Sequence, residues 1–229
     1  MHLVVFDVDG TLTNTNVVDG EYYWRAVCEV LGIAGEQPDW SDFRHVTDAG
    51  IAAELCIRNF GREVSGEEID SIGARLADLL EPALAIEDRV ALQIPGAAEI
   101  LSILNNFSEF AVALATGGLR SSAELKLRYA GLPFTALPFA SSTDAPSRAE
   151  ILQIAASRAA QKHAKQFQSF TYIGDGLCDI RAARELGWRF IGIGSGEQAA
   201  RLREAGATTV APHYRPTESF FELLVNEIA

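Results

Sequence analysis

The 229-residue sequence predicts an α/β fold, an open parallel sheet with an all-helical insertion near its start, and three features carry that reading. Short apolar runs stop at Asp/Gly or Thr/Gly turns, as buried parallel strands do. Helical patterns alternate with them, which is the rhythm of strands crossing over through helices. Residues 15–85 break that rhythm, carrying helical spacing and no convincing strand.

The first strand is predicted at 2–6 (HLVVF), followed by others at 110–115, 136–140, 170–173 and 189–193. Between them, AAEILSILNNF follows Pro95-Gly96, SSAELKLRYAG ends at Gly131, and DIRAARELG ends at Gly187, the residue type that closes helices. SRAEILQIAASRAAQK opens with Ser147-x-x-Glu150, the spacing of a capping box. Within the insertion, Tyr23, Ala26, Val27, Val30 and Leu31 keep helical spacing before Gly32, and a second helix follows Ser65-x-x-Glu68. The expected division is a core of residues 1–14 and 86–229 with a helical subdomain at 15–85. The insertion carries a net charge of −9 and the remainder −3.

Composition narrows the partners. A chain of this length buries about 70% of its unfolded surface, so a sizeable core is available. With 19 basic and 31 acidic residues the net charge is −12, which disfavours a protein that grips nucleic-acid backbones. No stretch is long and apolar enough to span a membrane, and the start, MHLVVFDVDG, lacks the basic segment and apolar run of a signal peptide. Cys28, Cys56 and Cys178 are odd in number and scattered, so reduced thiols and a cytoplasmic location are expected. A small molecule is the expected partner, without nucleic acid or membrane; oligomeric state is not legible.

The chemistry gathers at predicted strand ends. In an extended chain Asp7 and Asp9 project to the same side while Val8 turns inward. Two close carboxylates repel unless a cation lies between them or one is protonated, an environment that suits Mg²⁺, a carboxylate nucleophile and a neighbouring acid/base. Gly10 permits the turn that follows. Thr116-Gly117-Gly118 closes the second strand with a hydroxyl and backbone N–H groups, a cradle for anionic oxygens. Arg148 sits at the first position of a predicted helix, where its charge adds to the positive helix end. Asp175 ends another strand and Asp179 lies in the first turn of the next helix, so both carboxylates can point to one opening. Cys178 reads as a packed thiol, and His2, His163 and His213 as surface or rim residues.

Taken together, D-V-D-G-T, the apolar strand ending in Thr116, Arg148 and G-D-G-x-x-D resemble the four motifs of the haloacid dehalogenase superfamily, in its phosphoglycolate-phosphatase-like branch. The resemblance covers nearly the whole chain and implies a Rossmann-like core with a helical cap. It implies that Asp7 attacks phosphorus and that Asp9 acts as acid and then base. It assigns Asp7, the Asp9 carbonyl, Asp175 and Asp179 to Mg²⁺, and Thr116, Gly117 and Arg148 to the transferring group. The family's basic residue is usually Lys; Arg148 takes that place here, with Lys126 as a mid-helix fallback that fits poorly. Arg44, His45, Thr47 and Asp48 are the cap residues expected to face the site and choose the substrate, a small phosphorylated metabolite. Thr47 or Asp48 can equally cap a helix through Ile51 and Leu55.

The resulting expectation is a Mg²⁺-dependent phosphomonoester phosphatase. A dehalogenase is disfavoured by Asp9, a Schiff-base phosphonatase by the absence of lysine between residues 16 and 95, and a response-regulator receiver by the order of its acids. A sugar phosphomutase, or a non-catalytic phosphate-binding module, is the alternative.

Overall fold

The computed structural model describes residues 1–226. Six strands form one parallel sheet in the order β3-β2-β1-β4-β5-β6: β1 (His2–Phe6), β2 (Phe110–Ala115), β3 (Phe139–Ala140), β4 (Ser169–Gly174), β5 (Arg189–Ile193) and β6 (Thr209–Ala211). After β3 the chain returns to the opposite side of β1 as β4, so the strand order reverses at β1/β4. In open α/β sheets, ligand crevices form at that reversal, beyond the carboxyl ends of the strands.

β1 is buried along its length and divides its side chains between two layers. Val4 and Phe6 join one core with the helices α4 (Ala97–Asn106), α5 (Arg120–Tyr129) and α9 (Thr217–Asn226). Leu3 and Val5 join the other with α6 (Arg148–His163) and α7 (Leu177–Leu186). This is the period-two alternation of a strand, here apolar on both sides because helices cover both faces. The helix α8 (Gly196–Glu204) sits beside β5 and β6.

The segment between β1 and α4 contains α1 (Asn16–Leu31), α2 (Asp48–Phe60) and α3 (Gly66–Ile86), with one 3₁₀ turn at Trp40–Asp42 and no strand among the described residues. Gly32 closes α1 at φ +70°, and the Ser65/Glu68 capping box forms as its spacing predicts. Tyr23, Val27, Ile51, Leu76 and Leu80 share a continuous apolar cluster with β1, and α3 packs on α5. The insertion is thus seated on the sheet's helical layer.

The structure departs from the sequence reading in several places. The expected strand at 136–140 pairs only through Phe139 and Ala140, because Pro138 has no N–H to donate to a ladder. Ser147 caps α6 by position without a side-chain hydrogen bond, so the expected capping box is not made. The short β6 and the polar α8 carry too weak an apolar pattern to be read. His2 is 5% exposed and hydrogen-bonds Ser169 and Thr171, contrary to a surface position. No helix among the described residues is long and apolar enough to cross a membrane.

Candidate active site

The parallel register brings three strand ends level. Phe6 pairs with Leu114 on β2 and with Ile173 on β4, and the Asp7 N–H donates to the Ile173 carbonyl at 2.9 Å. Asp7 therefore emerges beside Gly174 and Asp175 on one side and close to Thr116 on the other. The result is a cavity of about 240 Å³ at the β1/β4 reversal, where Asp7, Asp9, Thr116, Gly117, Arg148, Asp175 and Asp179 converge. Residues far apart in sequence meet here because each follows a strand whose end the sheet fixes.

Asp7 is 5% exposed. Burial, then the charge of Asp179, pushes its carboxyl well above the usual carboxylate range, with Arg148 opposing them. Val8 turns inward and is fully buried, so Asp7 and Asp9 share the cavity as their spacing predicts. Asp9 is held at both oxygens: Oδ1 accepts from the Thr15 hydroxyl at 2.5 Å, and Oδ2 accepts from Lys126 Nζ at 2.7 Å. Gly10 lies at φ +69°, and a Cβ there would stand 2.1 Å from Asp175 Oδ2. Only glycine lets the acidic loop pass that close.

Arg148 enters from the first turn of α6. Nη1 stands 3.3 Å from Asp7 Oδ1 and 3.0 Å from Asp179 Oδ1, and a Cβ on Gly117 would lie 2.2 Å from Nη2. The guanidinium thus occupies the space that Gly117 leaves open. Asp144, an acid four residues before Arg148, is paired instead with Arg158 at 2.6 Å. Arg148 is the one cation among the described residues lining the cavity.

Asp179 is 1% exposed and serves two purposes. Oδ2 accepts from the Gly176 N–H at 2.8 Å, closing the first turn of α7, while Oδ1 accepts from the Tyr172 hydroxyl at 2.9 Å and meets Arg148. Tyr172, unanticipated from the sequence, reads there as one more apolar strand residue; its hydroxyl is what departs from that pattern, since a buried phenol needs a partner. Cys178 is a packed thiol, pushed up to about 12 by burial.

Lys126, the poorly fitting fallback, does not line the cavity. It lies in the middle of α5, as expected, but points inward, is fully buried, and bonds Asp9 at 2.7 Å and Asp19 of α1 at 2.8 Å. Burial would lower its pKa, yet the two carboxylates outweigh burial and raise it. Helix position alone says nothing of which face a lysine takes.

The four expected cap residues separate. Thr47 and Asp48 line the cavity with Asp7; Arg44 and His45 line a neighbouring cleft with Arg181 and Glu185, which Thr47 and Arg148 also border. Thr47 also caps α2, accepting from the Gly50 N–H, and donates to the Pro146 carbonyl at 2.6 Å. The Asp48 N–H donates to the Gly117 carbonyl at 2.8 Å, and its carboxylate accepts from the Leu119 N–H. Burial, then the charge of Asp19, raises Asp48 to about 8. The start of α2 is therefore tied to the loops beyond β2 and β3.

Carboxylate oxygens of Asp7, Asp175 and Asp179 lie within 4.8 Å of one another. Asp175 is raised to about 7 by burial and by Asp179. Three hard oxygen donors held together against their repulsion fit Mg²⁺, which needs few carboxylates and retains waters. The Asp9 carboxylate is bonded to Thr15 and Lys126 and is not one of the three. Asn16 and Gln198 donate to Asp175 Oδ2 at 2.8 and 2.9 Å and orient it.

A family model described as haloacid dehalogenase-like hydrolase matches residues 1–187, a span that includes every one of these residues except Gln198. The chain belongs to that family. Solved structures share the fold of this hydrolase. A hydrolase from Pseudomonas syringae is 21% identical, with each chain covered completely and a TM-score of 0.68. CbbY from Rhodobacter sphaeroides, bound to xylulose-1,5-bisphosphate, is 20% identical over 93% of this chain and 94% of its own, with a TM-score of 0.62. The haloacid dehalogenase-like family protein SP0104 from Streptococcus pneumoniae is 19% identical over 96% and 97%, with a TM-score of 0.56. At these identities the likeness shows the fold. No curated protein matches the chain.

Proposed function

We propose that this hydrolase is a Mg²⁺-dependent phosphatase acting on a small phosphomonoester through an aspartyl-phosphate on Asp7. The observation that carries the reading is the meeting of Asp7 with Arg148, Thr116 and Gly117 on one side and Asp175 and Asp179 on the other. A carboxylate that borders an anion cradle and is itself one of a cation-binding trio is positioned to attack phosphorus. Structures of CbbY bound to a sugar bisphosphate or to phosphate support the reading by showing that this fold accommodates such ligands.

In the first step a carboxylate oxygen of Asp7 bonds to phosphorus while the phosphorus–oxygen bond to the alcohol breaks, and Asp9 gives the departing oxygen a proton. In the second, Asp9 takes a proton from water as that water bonds to phosphorus, and the bond to Asp7 breaks to release inorganic phosphate. Arg148 and the Thr116 hydroxyl hold the phosphoryl oxygens; positioning and charge stabilisation supply most of the acceleration in such transfers. Asp7, Asp175, Asp179 and the Asp9 carbonyl would hold Mg²⁺, which when bound supplies positive charge against the phosphoryl group.

Residues 15–85 act in this reading as a cap: Thr47 and Asp48 reach over the strand ends and exclude water. Three free cysteines and the acidic surface fit a cytoplasmic enzyme with small substrates. The test is hydrolysis of an aryl phosphate by the purified protein with Mg²⁺, expected to vanish with EDTA and with Asp7→Asn. Activity that survives Asp7→Asn overturns the covalent mechanism. Transfer back to the sugar, with no phosphate released from a hexose phosphate, would mark a phosphomutase instead.

A further inference from the structure

We infer that Lys126 is a positioning residue for Asp9, held in place by Asp19 on α1. The inference rests on the acid/base reading of Asp9 and extends it to groups outside the motifs. Lys126 is one of three lysines in the chain, and the other two, Lys162 and Lys165, are exposed near the end of α6. A fully buried lysine is costly to keep unless its donors are paired. Here the pairs are Asp9 Oδ2 at 2.7 Å and Asp19 Oδ1 at 2.8 Å.

These bonds settle the orientation of the Asp9 side chain. Thr15 holds Oδ1 and Lys126 holds Oδ2, so rotation of the carboxyl group would break a charge-assisted bond. The held oxygen lies near the anion cradle: a Cβ on Gly118 would lie 3.5 Å from Thr116 Oγ1 and 3.7 Å from Asp9 Oδ2. Lys126 does not line the cavity, so it acts on the reaction through Asp9 and not on the substrate. Asp19 supplies the second anchor from a different element, which prevents Lys126 from following Asp9 if that side chain moves. The pair Lys126–Asp19 also joins α5 to α1, so the helical insertion contributes to the placement of a core residue.

Lys126→Met alone leaves two partly buried carboxylates without their cation and is prone to misfold, so Lys126→Met/Asp19→Asn, which removes one charge of each sign, is the principal variant, with Lys126→Arg beside it. Each is assayed with Mg²⁺ and 4-nitrophenyl phosphate, in the wild-type and Asp9→Asn backgrounds. If Lys126 positions Asp9, kcat of the double variant falls about ten- to a hundredfold while KM stays within about twofold. Lys126→Arg, which keeps a buried cation, retains more of kcat. In the Asp9→Asn background the same double change adds less than about a twofold loss, because the residue it serves is gone. A wild-type kcat in the double variant, an equal loss in the Asp9→Asn background, or a change in KM alone overturns the inference. Undiminished kcat in Asp9→Asn itself overturns the acid/base reading along with it, so the two failures are distinguishable.

Discussion

Nη1 of Arg148 stands 3.0 Å from Oδ1 of Asp179, and the same nitrogen lies 3.3 Å from Oδ1 of Asp7. One guanidinium at the start of α6 thus ties the ends of β1 and the first turn of α7, while remaining beside the glycine that an anion would approach. A lysine could meet both carboxylates with its single ammonium but would lack Nη2, the donor that lies against Gly117 in the anion cradle. Arg148→Lys is accordingly expected to raise the inhibition constant for inorganic phosphate about ten- to a hundredfold, the equivalent of one charge-assisted bond of about 1.5–3 kcal/mol. Unchanged inhibition would remove Arg148 from the anion site.

Asp7→Asn keeps the size of the side chain and removes the nucleophile. Its kcat for an aryl phosphate should drop by at least about a thousandfold, as loss of a covalent catalyst does, while the thermal midpoint is unchanged or rises. The rise follows from burial: Asp7 already resists ionisation, so a neutral amide relieves repulsion from Asp179. Differential scanning fluorimetry beside the rate measurement checks both.

Gly10→Ala should weaken the metal site in particular. The new methyl would collide with Asp175 Oδ2 and occupy a left-handed backbone, at a cost of about 1–2 kcal/mol for the backbone alone. The Mg²⁺ concentration for half-maximal activity is expected to rise several-fold while the fold survives. An unaltered Mg²⁺ requirement would falsify the placement of Asp175 in that site.

The Lys126 cluster also bears on stability. Removing Lys126 leaves Asp9 and Asp19, each 16% exposed, without their shared counter-ion, at a cost up to the about 3–5 kcal/mol of a broken buried pair. Urea denaturation should show that loss for Lys126→Met and a partial return on adding Asp19→Asn. Equal stability of Lys126→Met and the wild type would mean that the cluster contributes nothing to the fold.

His2 predicts a pH effect remote from the site. Burial, then the charge of Arg189, lowers its pKa to about 4. The unfolded chain, with an ordinary histidine near 6.5, binds the proton first as pH falls. The stability His2 contributes is therefore fully present above about pH 6.5 and is lost progressively as pH drops towards 4. His2→Asn should flatten the thermal midpoint against pH across that window; a slope identical to wild type would exclude His2 as its source.

Much of the fold and the site is readable along the chain. The run HLVVF ends at Asp7 because a buried strand tolerates no charge before its end, and Tyr172–Gly174 ends at Asp175 for the same reason. Asp7, Thr116, Arg148 and Asp175 share a cavity because parallel strands bring their carboxyl ends to one edge, so knowing the strands is enough to gather the residues. Arg44 and His45 line only the neighbouring cleft, Thr47 borders both, and Asp48 lines only the cavity with Asp7, because the chain runs from one cleft to the other as it enters α2, a detail of backbone direction that composition does not encode.

What sequence determined by itself is the alternation of strands and helices, the helical nature of residues 15–85 and the motif residues at strand ends, since these follow from local periodicity. What only the tertiary structure decided is which oxygen of each acid meets which donor. Lys126 reaching Asp9, Tyr172 supporting Asp179 and His2 lying buried depend on packing between elements more than a hundred residues apart, or on the side of a strand or helix that faces the core. Local pattern fixes the direction of a backbone; the energy of a buried charge is settled only by the partners that the whole fold carries to it.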